Sequence, residues 1–233
     1  MSRQTMTDAA LKLPRSPIYG LASCMVGTSF MEFEIGWPEF QRDTTWAESV
    51  LRRSGLSRGD MVLCTLTNWE SPWGSPIVHG LRNLGVTYAT AEVFAWDARR
   101  VSMFLQRFPI KAIIGLSGQT LAALDDADPP LAQLLDGVDI IWARPHAVGA
   151  LAEQADRVLP FVRFGPALAM GLPGSPAALV NAGEWDVAPT PDGLTVSSIA
   201  PRETQFRDIA TGFTGRVDRI DDALALHLAL DSL

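Results

Sequence analysis

Residues 61–66 read MVLCTL, a short run of strand-forming residues that sets the pattern for the central part of the chain. A helix is predicted at about residues 75–84, followed by a second strand over residues 86–91. The same order returns with a helix over residues 97–107 and a buried strand, AIIG, at residues 112–115. Strands that alternate with helices in this way predict crossover connections and a mainly parallel sheet.

The alternation extends on both sides of this segment. Before it, residues 43–45 (DTT) can cap a helix over residues 46–54. After it, strands are predicted at residues 139–142 and 161–164, around a helix at about residues 148–158. The predicted fold class is therefore α/β, with a mostly parallel sheet flanked by helices.

One segment of the last third has a different pattern. The runs EWDVAP and LTVSSI flank the turn signal TPDG at residues 190–193, which predicts an antiparallel β-hairpin over residues 184–199. At the other end, residues 1–17 are polar and rich in turn formers. We expect an N-terminal arm over residues 1–17 and a single α/β domain over residues 18–233.

Composition limits the partners. The 233 residues are 47% hydrophobic and carry a formal net charge of -7, and their arginines are scattered in short pairs. Binding to nucleic acid or to an anionic membrane needs a concentrated basic face, so we expect neither partner. No apolar run approaches the roughly 18 residues that span a bilayer, and no signal peptide is evident. The two cysteines, Cys24 and Cys64, favour reduced buried thiols in a cytoplasmic protein.

The stretch CMVGTSFMEFEIGW, at residues 24–37, begins like a phosphate-binding loop. Gly27, Thr28 and Ser29 are residue types that turn a chain around an anion. The lysine expected next is absent, and Glu32 and Glu34 follow instead. Two like charges about 4 Å apart repel by roughly 1 kcal/mol in water and more in a desolvated cleft. The stretch therefore predicts a disabled phosphate loop.

Several short landmarks, taken together, resemble a known family. They are WAE at residues 46–48, GLSRGDMV at 55–62, LG at 84–85, IGLS at 114–117 and DGLTVSSIAPR at 192–202. In order and spacing they resemble the adenylate-forming acyl-CoA ligases, closest to the phenylacetate–CoA ligase branch. Relative to that family the chain looks truncated, and we expect it to lack the C-terminal catalytic domain and the usual N-terminal region.

The resemblance also identifies two further degenerate nucleotide motifs. The family's Tyr-Gly-x-Thr-Glu motif, whose glutamate helps to hold magnesium, is matched by Phe164 and Gly165 followed by Pro-Ala-Leu. Its Thr-Gly-Asp motif, whose aspartate binds ribose, is matched by Thr211 and Gly212 followed by Phe213. Leucine and phenylalanine supply no oxygen to a hard cation or a ribose. The resemblance therefore implies that ATP and magnesium binding is lost.

An aromatic or acyl pocket is the remaining candidate site. In the family, the segment that matches residues 68–74 helps to form the aromatic acyl pocket, so Trp69 and Trp73 are candidates to flank an apolar cleft. Trp142 and Phe164 fall near the former adenine side, and Arg144 is the candidate anchor for a carboxylate. The alternative is that these rings belong to the core, where tryptophan is commonly buried, and that Arg144 is an ordinary surface arginine.

Two functions remain open from sequence. The first is a non-catalytic ligase-like protein that binds a small ligand or a protein partner without cofactors, with no catalytic residue and no metal site. The alternative is an enzyme or subunit that still activates an aromatic or acyl carboxylic acid. We also expect a homo-oligomer or a hetero-complex, since the leucines of residues 223–230 alternate like one face of a strand.

Overall fold

The computed structural model describes residues 17–125, 128–220 and 223–229. The predicted N-terminal arm lies outside these residues, except for Pro17. Strands in the described residues are β1 (Ile18–Val26), β2 (Ser29–Gly36), β3 (Met61–Thr65), β4 (Thr87–Ala91), β5 (Ile110–Leu116), β6 (Ile140–Ala143), β7 (Val158–Phe164), β8 (Ala167–Gly171), β9 (Ala178–Val180), β10 (Trp185–Thr190), β11 (Gly193–Ser198), β12 (Ile209–Ala210), β13 (Gly215–Ile220) and β14 (Ala223–Leu228).

The α-helices connect these strands on both faces of the main sheet. They are α1 (Trp37–Arg53), α2 (Ser71–Leu84), α3 (Ala98–Arg107), α4 (Gly118–Leu124), α5 (Leu131–Leu134) and α6 (Pro145–Val148). Short 3-10 helices at Asn68–Glu70, Ala95–Asp97 and Gly149–Arg157 complete the connections. Within the described residues, no helix is long and apolar enough to cross a membrane.

The main sheet has the order β13-β14-β9-β8-β7-β6-β5-β3-β4. The five strands from β7 to β4 pair in parallel, and the sheet continues through β8, β9, β14 and β13 with antiparallel pairings. The predicted α/β fold with a parallel sheet flanked by helices is confirmed. The predicted hairpin is also confirmed, because β10 pairs with β11 from Trp185↔Ser198 to Thr190↔Gly193.

Side chains alternate between two apolar layers, one on each face of the parallel strands. On β3, Val62 and Cys64 pack into the layer that contains α1 and α2, and Leu63 packs into the layer that contains α3 and α4. A strand buried on both faces reads as a continuous apolar run, which is why MVLCTL lacks a polar alternation. The buried layers hold the carboxyl ends of these strands in fixed positions.

Helix α1 is nine residues longer at its N-terminus than predicted. It begins at Trp37, with Pro38 in its first turn, where a missing N–H costs no hydrogen bond. Thr44 and Thr45 do not cap it, because their hydroxyls donate to the carbonyls of Phe40 and Gln41 inside the helix, at 2.8 and 3.0 Å. The expected cap at residues 43–45 is therefore wrong. The helix expected at residues 148–158 is a 3-10 helix over Gly149–Arg157.

The leucine run near the C-terminus is an internal strand. β14 pairs with β13 on one side and with β9 on the other, and Leu224 and Leu226 are buried in the chain's own core. Leu228 is partly buried against the same core, and Leu230 lies outside the described residues. The run is strand-like as expected, but Leu224 and Leu226 pack onto their own domain and are therefore not available for a contact with another chain.

Candidate functional site

Strand order marks one crevice at the carboxyl edge of the parallel strands. β4 lies on one side of β3, and β5 returns to the other side of β3. The connections after β3 and β5 therefore diverge, and the carboxyl ends of these two strands border a topological switch point. In open α/β sheets, ligands bind in the crevice at this point. We call this position the switch-point crevice.

An ion pair fills the switch-point crevice. Glu70, at the end of the 3-10 helix after β3, accepts hydrogen bonds from Nη1 and Nη2 of Arg144, at 2.6 and 2.8 Å. Arg144 follows β6, and it also donates from Nε to the carbonyl of Gly115 at 2.8 Å and from Nη2 to that of Thr65 at 3.3 Å. The Glu70 side chain is 3% exposed and the Arg144 side chain 15%. The pair thus ties together the ends of three parallel strands.

Gly115 is required by this arrangement. Its φ is +87°, a region that side chains rarely adopt, and a Cβ at this position would lie 2.7 Å from the carbonyl oxygen of Thr65. The same Cβ would lie 3.5 Å from Nη2 of Arg144. The irregular register of β5 around Gly115 brings its carbonyl to the Arg144 guanidinium.

A second arginine completes what we call the Glu70 cluster, composed of Glu70, Arg144 and Arg163. Nε of Arg163 lies 3.3 Å from Oε1 of Glu70, and its guanidinium lies 5.5 Å from the ring centroid of Trp73. Burial alone would raise the pKa of Glu70, but the hydrogen bonds and charge of Arg144 outweigh it and hold that pKa below its usual range. Burial lowers the pKa of Arg163.

Arg144 therefore does not anchor a ligand as expected. Four hydrogen bonds to Glu70, Gly115 and Thr65 occupy its guanidinium, which leaves no free pair of N–H groups to hold a carboxylate from both sides. The alternative of an ordinary surface arginine is wrong too, because the side chain is largely buried. Sequence reasoning missed Glu70, the partner that decides the role of Arg144.

The expected phosphate loop is the tip of a hairpin. β1 and β2 pair from Ile18↔Gly36 to Val26↔Ser29, so Gly27 and Thr28 alone form the turn. Gly27 has a φ of +60°, as the first central residue of a type II′ turn requires. Gly27, Thr28 and Ser29 are exposed. A two-residue turn presents too few N–H groups to surround a triphosphate, so this stretch is a tight turn and not a shortened loop.

The other two degenerate motifs come together. Phe164 is fully buried, and its ring stacks on that of Phe213 with the centroids 5.7 Å apart. Gly165 has a φ of +61° and forms the two-residue β7–β8 turn with Pro166. Thr211 donates from its hydroxyl to the carbonyl of Leu194 at 2.8 Å, and its hydroxyl accepts from the N–H of Phe213 at 3.2 Å. Gly212, with a φ of +76°, turns the chain between them.

The four tryptophan and phenylalanine candidates do not line one cleft. Trp142 and Phe164 are fully buried core residues, and the indole N–H of Trp142 donates to the carbonyl of Gly171 at 3.0 Å. Trp69 is 62% exposed and packs against Phe94, with the centroids 5.7 Å apart. Trp73 is 4% exposed and donates to the carbonyl of Pro166 at 3.0 Å. The expectation that Trp69 and Trp73 flank one pocket is wrong.

Trp73 does line a narrow cavity between α1, α2 and β2. Trp46, Ala167, Leu168 and Trp185 also border it. Its total empty volume, including the space at its open mouth, is about 460 Å³. The part of this volume in which the centre of a water molecule fits is only about 30 Å³. That is room for roughly one or two waters and not for an aryl or acyl group. Trp69 borders a separate, shallow depression beside β1 and β2.

One wall of this cavity belongs to a buried charge network that sequence reasoning missed. This Arg202 cluster consists of Glu39, Arg42, Asp43, Glu184 and Arg202. Arg202 donates to Glu184 and to Asp43, each at 2.6 Å, and lies over the ring of Trp185 at 4.4 Å. Arg42 pairs with the other side of Glu184. Burial raises the pKa of Glu39 and of Asp43, although Arg202 opposes the shift in both.

A signal for this network was present in the sequence. Glu39 and Asp43 are four residues apart, which places them on one face of a helix. The predicted helix began only at residue 46, so this spacing was not recognised. Glu184 and Arg202 flank the predicted hairpin, and only the tertiary fold brings them to α1.

The described residues contain no group of three or more His, Cys, Asp and Glu side chains placed to hold a metal ion. Cys24 and Cys64 are both buried free thiols. Burial raises the pKa of Cys64 to about 12, so its reactive thiolate is scarce near neutral pH.

Comparison with solved structures identifies the fold. An open conformation of 2-hydroxyisobutyryl-CoA ligase in complex with 2-HIB-AMP and CoA matches with a TM-score of 0.65 over 97% of this chain and 61% of that one, at 11% identity. The chain has the fold of the acyl-CoA ligases. A malonyl-CoA ligase matches with a TM-score of 0.54 over 88% of this chain and 51% of that one, at 13% identity.

An amide bond synthetase, McbA from Marinactinospora thermotolerans, shares this ligase fold as well, with a TM-score of 0.55 over 90% of this chain and 48% of that one, at 13% identity. The chain thus spans about half to three-fifths of the length of these solved relatives. No protein-family model matches the chain, and no curated protein matches it.

Proposed function

We propose that this protein is a non-catalytic acyl-CoA ligase-like domain, nearest to the phenylacetate–CoA ligases, that does not bind ATP with magnesium and acts by binding a small molecule or a protein partner. The observation that carries the proposal is the Glu70–Arg144 pair in the switch-point crevice. A nucleotide entering there has to displace a bidentate ion pair that is almost fully buried.

The two other motif segments support the same conclusion. Ala167 and Leu168 stand where the family has threonine and the magnesium-binding glutamate, and both side chains are buried against apolar neighbours. Magnesium requires oxygen ligands, which neither residue has. The Phe164–Phe213 stack fills the space between the adenine and ribose motifs with hydrocarbon.

The β1–β2 hairpin adds an electrostatic argument. Glu32 and Glu34 are exposed on the same face of β2 and border the depression beside Trp69. Two carboxylates on this face repel a polyphosphate, whereas ATP-binding loops concentrate N–H groups and a lysine. The hairpin turn consists of only Gly27 and Thr28, and residues 18–36 contain no lysine or arginine to offset this charge.

The proposal extends to assembly and location. Leu21 and Phe30, on the hairpin, are each 75% exposed. Exposed apolar surface of this kind marks contacts with other chains, so we propose self-association or pairing with another protein. Because free buried thiols such as Cys24 and Cys64 persist in reducing compartments, we place the protein in the cytoplasm.

Calorimetric titration with ATP and magnesium tests the proposal. We expect no heat of binding at millimolar nucleotide, and no change in melting temperature in the same mixtures. As a control, the variant Glu32→Gln/Glu34→Gln removes the hairpin charges without touching the crevice, and it too should not bind. Saturable micromolar binding by the unmodified protein would contradict the proposal and favour the alternative, a ligase that activates an aromatic or acyl carboxylic acid.

A further inference from the structure

A second cavity lies on the other side of β3 from the switch-point crevice. It opens between the carboxyl ends of β3 and β4, and Cys64, Asn68, Thr90 and Ala91 border it. Its volume is about 230 Å³. Pockets for drug-sized ligands occupy about 300–1,000 Å³, so this cavity is suited to a smaller molecule.

Opposite charges line this cavity without neutralising each other. Glu92 and Arg100 both border it, and among the described residues no ion pair joins them. The N–H of Glu92 donates to Asp97 at 2.8 Å, but its carboxylate has no hydrogen bond or ion pair within the described parts of the chain. Arg100 contacts Asp97 through Nε, at 3.2 Å, and no described acceptor takes its Nη atoms.

The remaining walls are partly apolar and partly hydroxyl-bearing. Leu66, Gly74 and Val78 supply the apolar part, and a Cβ on Gly74 would already lie 3.0 Å from Cδ1 of Leu66. Ser71 and Ser75 also border the cavity. Thr67 borders it as well, with its hydroxyl oxygen buried.

We propose that this cavity binds an α-amino acid with a small aliphatic side chain. The ligand's carboxylate pairs with the free Nη atoms of Arg100 and its ammonium group with Glu92, while its side chain packs against Leu66 and Val78. A simple anion would face the Glu92 carboxylate, and a simple amine would face the Arg100 guanidinium. A zwitterion satisfies both groups.

This inference is independent of the loss of ATP binding. The cavity and the switch-point crevice lie on opposite sides of β3 and share no charged residue. Absence of amino-acid binding would overturn only the inference made here, whereas ATP binding would overturn only the proposed loss of ATP binding.

Calorimetric titration of the full chain with L-valine is the first test. Two matched compounds each lack one charge: 3-methylbutanoate lacks the ammonium group and isobutylamine lacks the carboxylate. We expect saturable binding of L-valine and at least about tenfold weaker binding of both analogues, since each loses one charge-assisted contact. No binding of L-valine, or equal binding of the three compounds, would overturn the proposal.

Matched variants then assign the site. Glu92→Gln and Arg100→Gln should each weaken L-valine binding about tenfold or more. Arg99→Gln is the control, because Arg99 is an exposed neighbour on α3 that does not border the cavity. Melting temperatures verify that each variant folds. If Arg99→Gln weakens binding as much as Arg100→Gln, or if folded Glu92→Gln binds L-valine normally, the assignment is wrong.

Discussion

Glu70 and Arg144 lie 74 positions apart in the chain and meet through two hydrogen bonds, of 2.6 and 2.8 Å, where β3, β5 and β6 end. Strand order places a crevice at this edge of the sheet, and the protein's own ion pair lies there. The two residues therefore have a structural role at the carboxyl ends of these strands.

Removing one partner of this pair should strongly destabilise the protein. We expect Arg144→Met to lower the free energy of unfolding by about 3–5 kcal/mol, because it leaves the Glu70 carboxylate buried beside Arg163 alone. The double variant Glu70→Gln/Arg144→Met should regain part of this loss. Urea unfolding provides the measurement, and Arg52→Met, which breaks an exposed pair with Glu48, should cost less than about 1 kcal/mol. Equal effects of Arg144→Met and Arg52→Met would show that the pair is not structural.

The same pair should give a distinct pH dependence. The folded pKa of Glu70 lies below its unfolded value of about 4.3, so its stabilising contribution is complete above that value and is lost as pH falls through the folded pKa. The difference in free energy of unfolding between the unmodified protein and Glu70→Gln should therefore become smaller below about pH 4.3.

The contribution of Asp43 to the free energy of unfolding should change with pH in the opposite direction to that of Glu70. Burial raises its folded pKa, so the cost of its charge disappears as pH falls through that pKa, and the unmodified protein should gain stability relative to Asp43→Asn. Urea unfolding between pH 3 and 7 measures both differences. If lowering the pH stabilises the unmodified protein relative to both variants, or destabilises it relative to both, the assignment of these two carboxylates is wrong.

Arg202 should be as important for stability as Arg144. Its side chain is 6% exposed and pairs with Glu184 and Asp43, so Arg202→Met leaves an excess of buried carboxylates. We expect a loss of about 3–5 kcal/mol in the free energy of unfolding. Arg219→Met, which breaks the exposed pair between Arg219 on β13 and Asp186 on β10, is the matched control and should cost less than about 1 kcal/mol. A loss of less than about 1 kcal/mol for Arg202→Met would mean that the cluster is not needed for the fold.

The exposed face of the β1–β2 hairpin, which carries Leu21 and Phe30, should mediate self-association. We expect light scattering at high concentration to show an oligomer, and Leu21→Ser/Phe30→Ser to shift it toward monomer, because both side chains are 75% exposed. Ile199→Ser changes a residue that is 56% exposed and lies away from the β1–β2 hairpin, and it should leave the oligomer intact. A monomer under all of these conditions would remove the idea that the protein associates with itself.

The fold was predictable where short-range patterns decide it. Strand and helix periodicity located β3, β4 and the β10–β11 hairpin within a few residues, because turns and apolar runs are local signals. The β1–β2 hairpin was missed because Gly27 and Thr28 fit both a phosphate loop and a type II′ turn. Only the pairing of Val26 with Ser29 distinguishes the two.

The site was less predictable, because its partners are distant in sequence. Arg144 was recognised as an unusual residue, but its role depends on Glu70, and no local pattern links the two. Trp69 and Trp73 are four residues apart, yet the former is exposed and the latter buried, since the short helix before α2 places them on different sides. Tertiary packing decides such roles, and sequence spacing does not.

Carboxylate-dependent exchange of labelled pyrophosphate into ATP tests the central claim most directly, because it detects adenylate formation in a single mixture. The assay contains the purified full chain, magnesium, ATP and phenylacetate or a short acyl acid, with a no-enzyme background. With the switch-point crevice occupied by Glu70 and Arg144, we predict exchange at background for every acid. Exchange above background that depends on both the acid and magnesium would show an active ligase and contradict the account.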